Sequence, residues 1–320
     1  MGNRSVFFAA AALLVAAACT PEPEAPAPAA APAAPKGKTI VAERGGFIPE
    51  GVEYDQANKR FLTGSLAEGS IFEIHEDGRV TPFITDPALV SSVGIEVDEP
   101  RDRLLVANSD RAAFQPGNVG QAKLGVYSLT SGERLAMVDL AAVIGTPNDP
   151  PQYFANDLTA DGDGNVYVTD TFTNVIYKVT PAYEASVFHR FTGMPEGARL
   201  NGIVYHAGGY LLVVAEANLY KVPLADPAAT TQVMVAEPVP GQDGVVWAAD
   251  GRLVVVSNSA DAPRVVALTT TDDWATAQRA GVATVSGQAT TAAAVGDDIW
   301  AVHPHFADAD PPSLEQAIFE

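Results

Sequence analysis

A single cysteine, Cys19, stands in a chain of 320 residues. No intramolecular disulfide can form, so the fold has to stand on its hydrophobic core. Basic residues are scarce as well: 19 Lys and Arg face 39 Asp and Glu, for a net charge of −20. Acidity of that size disfavours nucleic acid and anionic membrane surfaces, so neither is expected as a partner. Long apolar runs are missing. Val6–Ala18 spans 13 residues, too short for a stable bilayer crossing. Helical periodicity is absent until Ser313–Ile318. There is no Ser nucleophile elbow, no His-Glu-x-x-His helix and no phosphate-cradling Gly loop.

What the chain does hold begins with its leader. Arg4 precedes the Val6–Ala18 run, and together they read as a signal segment over residues 1–18. The run ends Val15-Ala16-Ala17-Ala18-Cys19, which is similar to a bacterial lipobox, so Cys19 is expected to be lipidated. An acylated cysteine would tie the protein to a bacterial membrane by its chains alone. Thr20 in the next place points, by analogy with Gram-negative lipoproteins, to the outer membrane. Six prolines and seven alanines fill most of 20–38, a composition that favours an extended spacer over a packed core. Removing residues 1–18 takes away Arg4 and no acid, so the mature charge is nearer −21.

Residues 39–320 repeat. Six stretches align at one register, led by Glu50, Val93, Asn156, Asn201, Asp243 and Thr291. The gaps between leads are 43, 63, 45, 42 and 48 residues. The long gap predicts an insertion near 110–123 or 143–153. About ten residues after each lead comes an apolar, β-branched run such as Leu253-Val254-Val255-Val256, with turn residues between. A third and a weaker fourth run follow in most units. Six four-strand units with a period near 45 predict an all-β, six-bladed β-propeller. The last unit is short of strands, and Thr39–Ala42 is predicted to complete it and so close the ring.

In a propeller the first strand of each blade lines the channel, so equivalent positions form a ring. Glu50, Asn156, Asn201 and Asp243 would then meet near one mouth, with Val93 and Thr291 in the other two places. Two carboxylates and two amide carbonyls make an oxygen-only set that suits one divalent cation, Ca2+ first, then Mg2+ or Mn2+; Zn2+ would usually want His or Cys. Glu50 and Asp243 would also repel each other across a narrow channel without a cation.

Pro49-Glu50-Gly51, Phe154-Ala155-Asn156-Asp157, Leu200-Asn201-Gly202-Ile203 and Gln242-Asp243-Gly244 follow one another in the order and spacing of the SMP-30/gluconolactonase family, which the chain resembles over most of 45–305. The resemblance implies a six-bladed propeller holding one divalent cation, with Glu50, Asn156, Asn201 and Asp243 as its ligands. It implies metal-assisted hydrolysis of a lactone or related ester, in which Asp243 would also take the proton of the attacking water. Asp157 is then a candidate to touch substrate, to orient a ligand or to make a turn. Sugar-lactonase members carry Arg two residues before the Asn-Asp pair, where it contacts the sugar. Here that place is Phe154, which makes the mouth less polar and points equally to an apolar lactone or ester. The alternative is a non-catalytic propeller that uses its metal for structure and binds a small ligand or a protein. A monomer is the expected state.

Other signals weigh less. Asp161-Gly162-Asp163-Gly164-Asn165 lacks the distal Glu of a calcium loop and sits where other units turn, so it reads as a turn. His303-Pro304-His305 follows a strand, and Pro304 would splay the rings. His75, His189 and His206 are scattered. Trp247, Trp274 and Trp300 read as packing between blades.

Overall fold

A computed structural model describes residues 37–146, 151–259, 262–306 and 310–320. The signal segment, Cys19 and all but the end of the spacer lie outside the described residues. So does part of the second candidate insertion, at 147–150. The described residues form an all-β, propeller-like fold of consecutive antiparallel strands. No helix among them is long and apolar enough to cross a membrane.

The first sheet takes Val52–Asp55, Arg60–Thr63, Ile71–Ile74 and Val80–Ile84 in chain order. The second takes Ser91–Asp98, Arg103–Ser109, Lys123–Ser128 and Arg134–Asp139. The third takes Tyr153–Ala160, Val166–Asp170, Val175–Val179 and Ala185–Arg190, and gains Gly120–Gln121 on its inner edge. The remaining strands depart from the expectation of separate four-stranded sheets. Leu200–Val235 and Gln242–Thr284 each supply four strands, but Met234 and Val235 pair in parallel with Thr276 and Ala277. One eight-stranded sheet results. Two outer edges that would otherwise face water satisfy each other's backbone groups.

The last sheet holds Ala292–Val295, Asp298–His303, Ser313–Ala317 and, from the other end of the chain, Thr39–Val41. Thr39, Ile40 and Val41 pair antiparallel with Glu315, Leu314 and Ser313. This corrects the helical reading of Ser313–Ile318: the segment is a strand flanked by partners on both sides. Ladder hydrogen bonds and the burial of Leu314 outweigh a weak local preference.

Strands such as Leu253–Ser257 read as unbroken apolar runs because they are buried on both faces. Apolar clusters fill the spaces between successive sheets. Leu62 and Ile71 meet Leu104 and Tyr127; Leu105 and Val126 meet Val168 and Tyr177; Tyr167 and Ile176 meet Leu211 and Val213. Trp300 and Val302 of the last sheet meet Phe61 and Phe72 of the first. Trp274 is buried between the two halves of the eight-stranded sheet. The leading strands pack in sequence, and Ala292–Val295 packs back on Val52–Asp55. The inner face is therefore a closed ring around a channel.

Candidate functional site

The site is built from an irregularity repeated at the lead register. Four inner strands lose their ladder register there: between Ser92 and Ile95, Ala155 and Leu158, Leu200 and Ile203, and Gln242 and Val245. Each shift brackets a lead and the residue after it. A bulge frees those residues from the ladder and re-aims their side chains. It also brings neighbouring strands close. The Gly51 amide donates to the Val93 carbonyl at 3.1 Å, and the Gly244 amide to the Thr290 carbonyl at 2.7 Å. A Cβ on Gly94 would lie 2.7 Å from the Asn156 carbonyl, and one on Gly202 would lie 2.4 Å from the Asp243 carbonyl. Thr290 Oγ1 donates to the Glu50 carbonyl at 2.7 Å and completes the circuit.

These contacts place Glu50, Asn156, Asn201 and Asp243 around one mouth cavity of about 320 Å3, together with Val93 and Phe154. Glu50, Asn156 and Asn201 also line a channel cavity of about 250 Å3. Three of the four expected oxygen donors thus stand between mouth and channel, and Asp243 lines the mouth. Thr291 lines the channel while Thr290 lines the mouth. Asp157 lies on the channel side rather than at the mouth. Its carboxylate accepts from the Leu158 amide at 2.9 Å and the Ile203 amide at 3.1 Å, so it ties two inner strands together.

Asn156 is 7% exposed. Its Nδ2 donates to Thr171 Oγ1 at 2.9 Å, and Thr171 donates in turn to the Leu200 carbonyl at 3.0 Å. That leaves Asn156 Oδ1 buried with no hydrogen-bond partner among the described residues. A buried carbonyl oxygen without a partner costs about 1–3 kcal/mol, and a cation would satisfy it. Asp243, 4% exposed, accepts from Asn258 Nδ2. Burial pushes the Asp243 carboxyl up to about 7, against the hydrogen bonds from Asn201 and Asn258. Burial also holds Glu50 well above the usual carboxylate range, helped by the charges of Asp243 and Asp157. Among the described residues no three His, Cys, Asp or Glu side chains converge as a metal cage. The mouth set is two carboxylates with two amides, the donor chemistry of a hard cation.

Deeper in the channel stand Glu53 and Glu96, at matching positions on adjacent inner strands, with Asp157 beside them. Burial, then the charge of Asp157, pushes Glu96 up to about 8. Burial, then Glu96 and Asp157, holds Glu53 well above its ordinary value. Among the described residues no Lys, Arg or His lines this cavity. Trp247 also lines this cavity, with Nε1 donating to the Tyr205 carbonyl at 2.8 Å and its ring packed on Trp274, centroids 5.7 Å apart.

Sequence reasoning missed the residues that hold the donors. Thr171 and Asn258 each lie fifteen residues after a lead, Asn156 and Asp243, at a second repeated register that also carries Ser65, Asn108, Glu216 and Phe306. Applying the repeat to that position would have found them. Arg111 and Phe114 come from the predicted insertion near 110–123 and line the mouth. The Asp161 segment is a turn: its Oδ1 accepts from the Asp163 and Asn165 amides at 3.0 and 2.9 Å. His303 is buried, 3.2 Å from Glu315 Oε2, away from the mouth.

Neither a protein-family model nor a curated protein sequence matches the chain. Solved structures do. A gluconolactonase of Xanthomonas campestris superposes with a TM-score of 0.60 at 14% identity, over 90% of this chain and 99% of that one. The chain shares its fold with that gluconolactonase. A luciferin-regenerating enzyme superposes at 0.62 and 12% identity, over 88% and 95%. The allergen Mala s 1 of Malassezia sympodialis superposes at 0.69 and 18% identity, over 87% and 95%. At such identities the likeness is one of fold, and the chemistry has to be argued from the site.

Proposed function

We propose that the protein is a divalent-metal-dependent hydrolase of a lactone or related ester, with the leading strands read as those of six blades and the eight-stranded sheet as two of them. One observation carries the reading: four oxygen donors, each on an inner strand or at its start, line a single cavity, and one of them, Asn156 Oδ1, is buried with no partner among the described residues. The gluconolactonase that shares its fold supports it. Glu50, Asn156, Asn201 and Asp243 would hold one cation, Ca2+ before Mg2+ or Mn2+. Such a cation supplies Lewis acidity for the substrate carbonyl and an acidified water.

The chain's own residues do the rest. Asp243, which faces the mouth beside the other donors, would take the proton of the attacking water and return it to the departing alkoxide. Asn258 and Asn201 fix the carboxylate that does so. Thr171 turns the Asn156 amide so that its oxygen, not its nitrogen, faces the cavity. Phe154 lines the mouth as a substrate wall. Asp157 acts by tying two inner strands.

Metal content of the purified chain and a lactone panel, run with and without chelator, test the reading. Activity that needs metal and is lost in both Glu50→Ala and Asp243→Ala, with folding kept, is the expected result. The second reading, a non-catalytic metal-stabilised propeller, is favoured by Phe154 standing where sugar lactonases carry Arg. Bound metal with no hydrolysis of any lactone or ester would select it. We also propose export and lipid anchoring through Cys19 to a bacterial outer membrane, with the domain monomeric.

A further inference from the structure

The wall of the mouth above the donor ring is apolar, and one of its exposed rings, Phe114, comes from outside the repeat. The 63-residue gap between the second and third leads holds a short turn of helix, Arg111–Phe114, and the strand Gly120–Gln121. The insertion is tied down. The Arg111 amide donates to Ser91 Oγ at 3.1 Å, the Ala112 amide to Asp110 Oδ1 at 2.8 Å, and Gln152 Nε2 to the Ala113 carbonyl at 3.0 Å. Gly120 and Gln121 pair in parallel with Tyr153 and Phe154. Phe114 is thereby set edge-on to Phe154 with ring centroids 4.9 Å apart, and 5.1 Å from Phe172.

Phe114 nevertheless stays 55% exposed, and across the same mouth Phe306 is 50% exposed. Two large aromatic rings left in water on a chain of charge −20 are an anomaly, and both border one cavity. Ile48, Leu66 and Val93 continue the apolar wall. Among the described residues, Arg111 and Thr290 are the polar side chains above the donors, and Thr290 Oγ1 is already spent on the Glu50 carbonyl. A polyhydroxy lactone entering here would lose water from several hydroxyls and find few replacements. Such unpaired polar groups are penalised far more heavily than a missing apolar contact. An alkyl or aryl substituent would instead cover Phe114, Phe154 and Phe306.

Resting on the hydrolase reading, we propose that the substrate is a lactone or ester bearing an apolar alkyl or aryl substituent, and that the insertion at 110–123 sets this specificity through Phe114. The full chain, loaded with Ca2+, is assayed on γ-nonalactone, γ-butyrolactone and D-glucono-1,4-lactone, and calorimetry measures binding of the same three to the unloaded chain. The expected kcat/KM for γ-nonalactone exceeds that for γ-butyrolactone at least tenfold, with gluconolactone lowest, and binding follows the same order. Phe114→Ala should lower the nonalactone-to-butyrolactone ratio at least fivefold. Because Phe114 is half exposed the variant should fold, as its melting curve will show; should it not, Phe114→Gln, which keeps more of the side chain's volume, takes its place.

Gluconolactone turned over as well as γ-nonalactone overturns the proposal and leaves the hydrolase standing. No turnover of any lactone removes the hydrolase, and calorimetry then decides: tighter binding of γ-nonalactone keeps the apolar pocket, and equal or no binding overturns it. A ratio unmoved in the folded variant overturns the role of the insertion.

Discussion

Asn156 concentrates the argument at the scale of one residue. Its amide nitrogen is spent on Thr171, and its oxygen is buried with no partner among the described residues. Removing that oxygen removes a donor and opens space, so Asn156→Ala should weaken divalent-cation binding at least about tenfold, or about 1.4 kcal/mol, by calorimetry. Thr171→Val keeps the amide but releases its nitrogen. Binding should weaken by a smaller factor, and a variant equal to the parent would show that Thr171 does not orient the amide. Asp157 is the opposite case. It looks like a ligand beside Asn156, yet its carboxylate serves two backbone amides.

At the scale of the element, the bulged inner strand does the positioning. Gly94 sits where a Cβ would lie 2.5 Å from Asp157 Oδ1 and 2.7 Å from the Asn156 carbonyl. Gly94→Ala should therefore push the second inner strand off the third and cost about 1–3 kcal/mol, read as a melting temperature lower by several degrees. The closing strand is a second element with a measurable task. Ile40 is buried against the last and first sheets, and Thr39–Val41 covers the edge of Ser313–Ala317. Deleting residues 37–42 should lower the melting temperature and expose that edge to self-association, measurable by light scattering. An unchanged melting temperature would mean that closure is not needed. The hairpins repeat their own pairing: Asp55 with Arg60 at 2.9 Å, and Asp98 with Arg103 at 2.6 Å.

At the scale of the whole molecule, the channel gathers acid with no Lys, Arg or His among the described residues that line it. Glu53 and Glu96 are both held above the usual carboxylate range, Glu96 at about 8, chiefly by burial. A raised carboxyl means that the native state keeps a proton that the unfolded chain has already lost. Stability should therefore fall as pH rises from about 4.5, the unfolded value, toward 8. Chelator-treated protein should melt higher at pH 5 than at pH 8. Glu96→Gln should flatten that dependence and raise the melting temperature at pH 8 by about 2 °C or more. A melting temperature that climbs with pH would refute it. Anchoring is also a property of the whole chain: labelled palmitate should be incorporated in a bacterial host and lost in Cys19→Ala.

The repeat made much of this legible in sequence. Because one four-strand module recurs, a position read in one unit could be read in all, and Glu50, Asn156, Asn201 and Asp243 could be placed at one mouth before any coordinate. Turn chemistry around Asp161 was equally local and equally readable. Ser313–Ala317 was not, since five residues with weak preferences become a strand only when Thr39–Val41 and Asp298–His303 lie on either side. The parallel seam between Met234–Val235 and Thr276–Ala277, the direction of Asp157 and the convergence of Phe114 and Phe306 on the mouth were likewise closed to sequence. Sequence by itself determined the periodic pattern and the donor types, because both are carried by spacing along the chain. Tertiary structure alone decided which oxygen is left unsatisfied and what surrounds it, because burial and hydrogen-bond competition depend on neighbours far away in the chain.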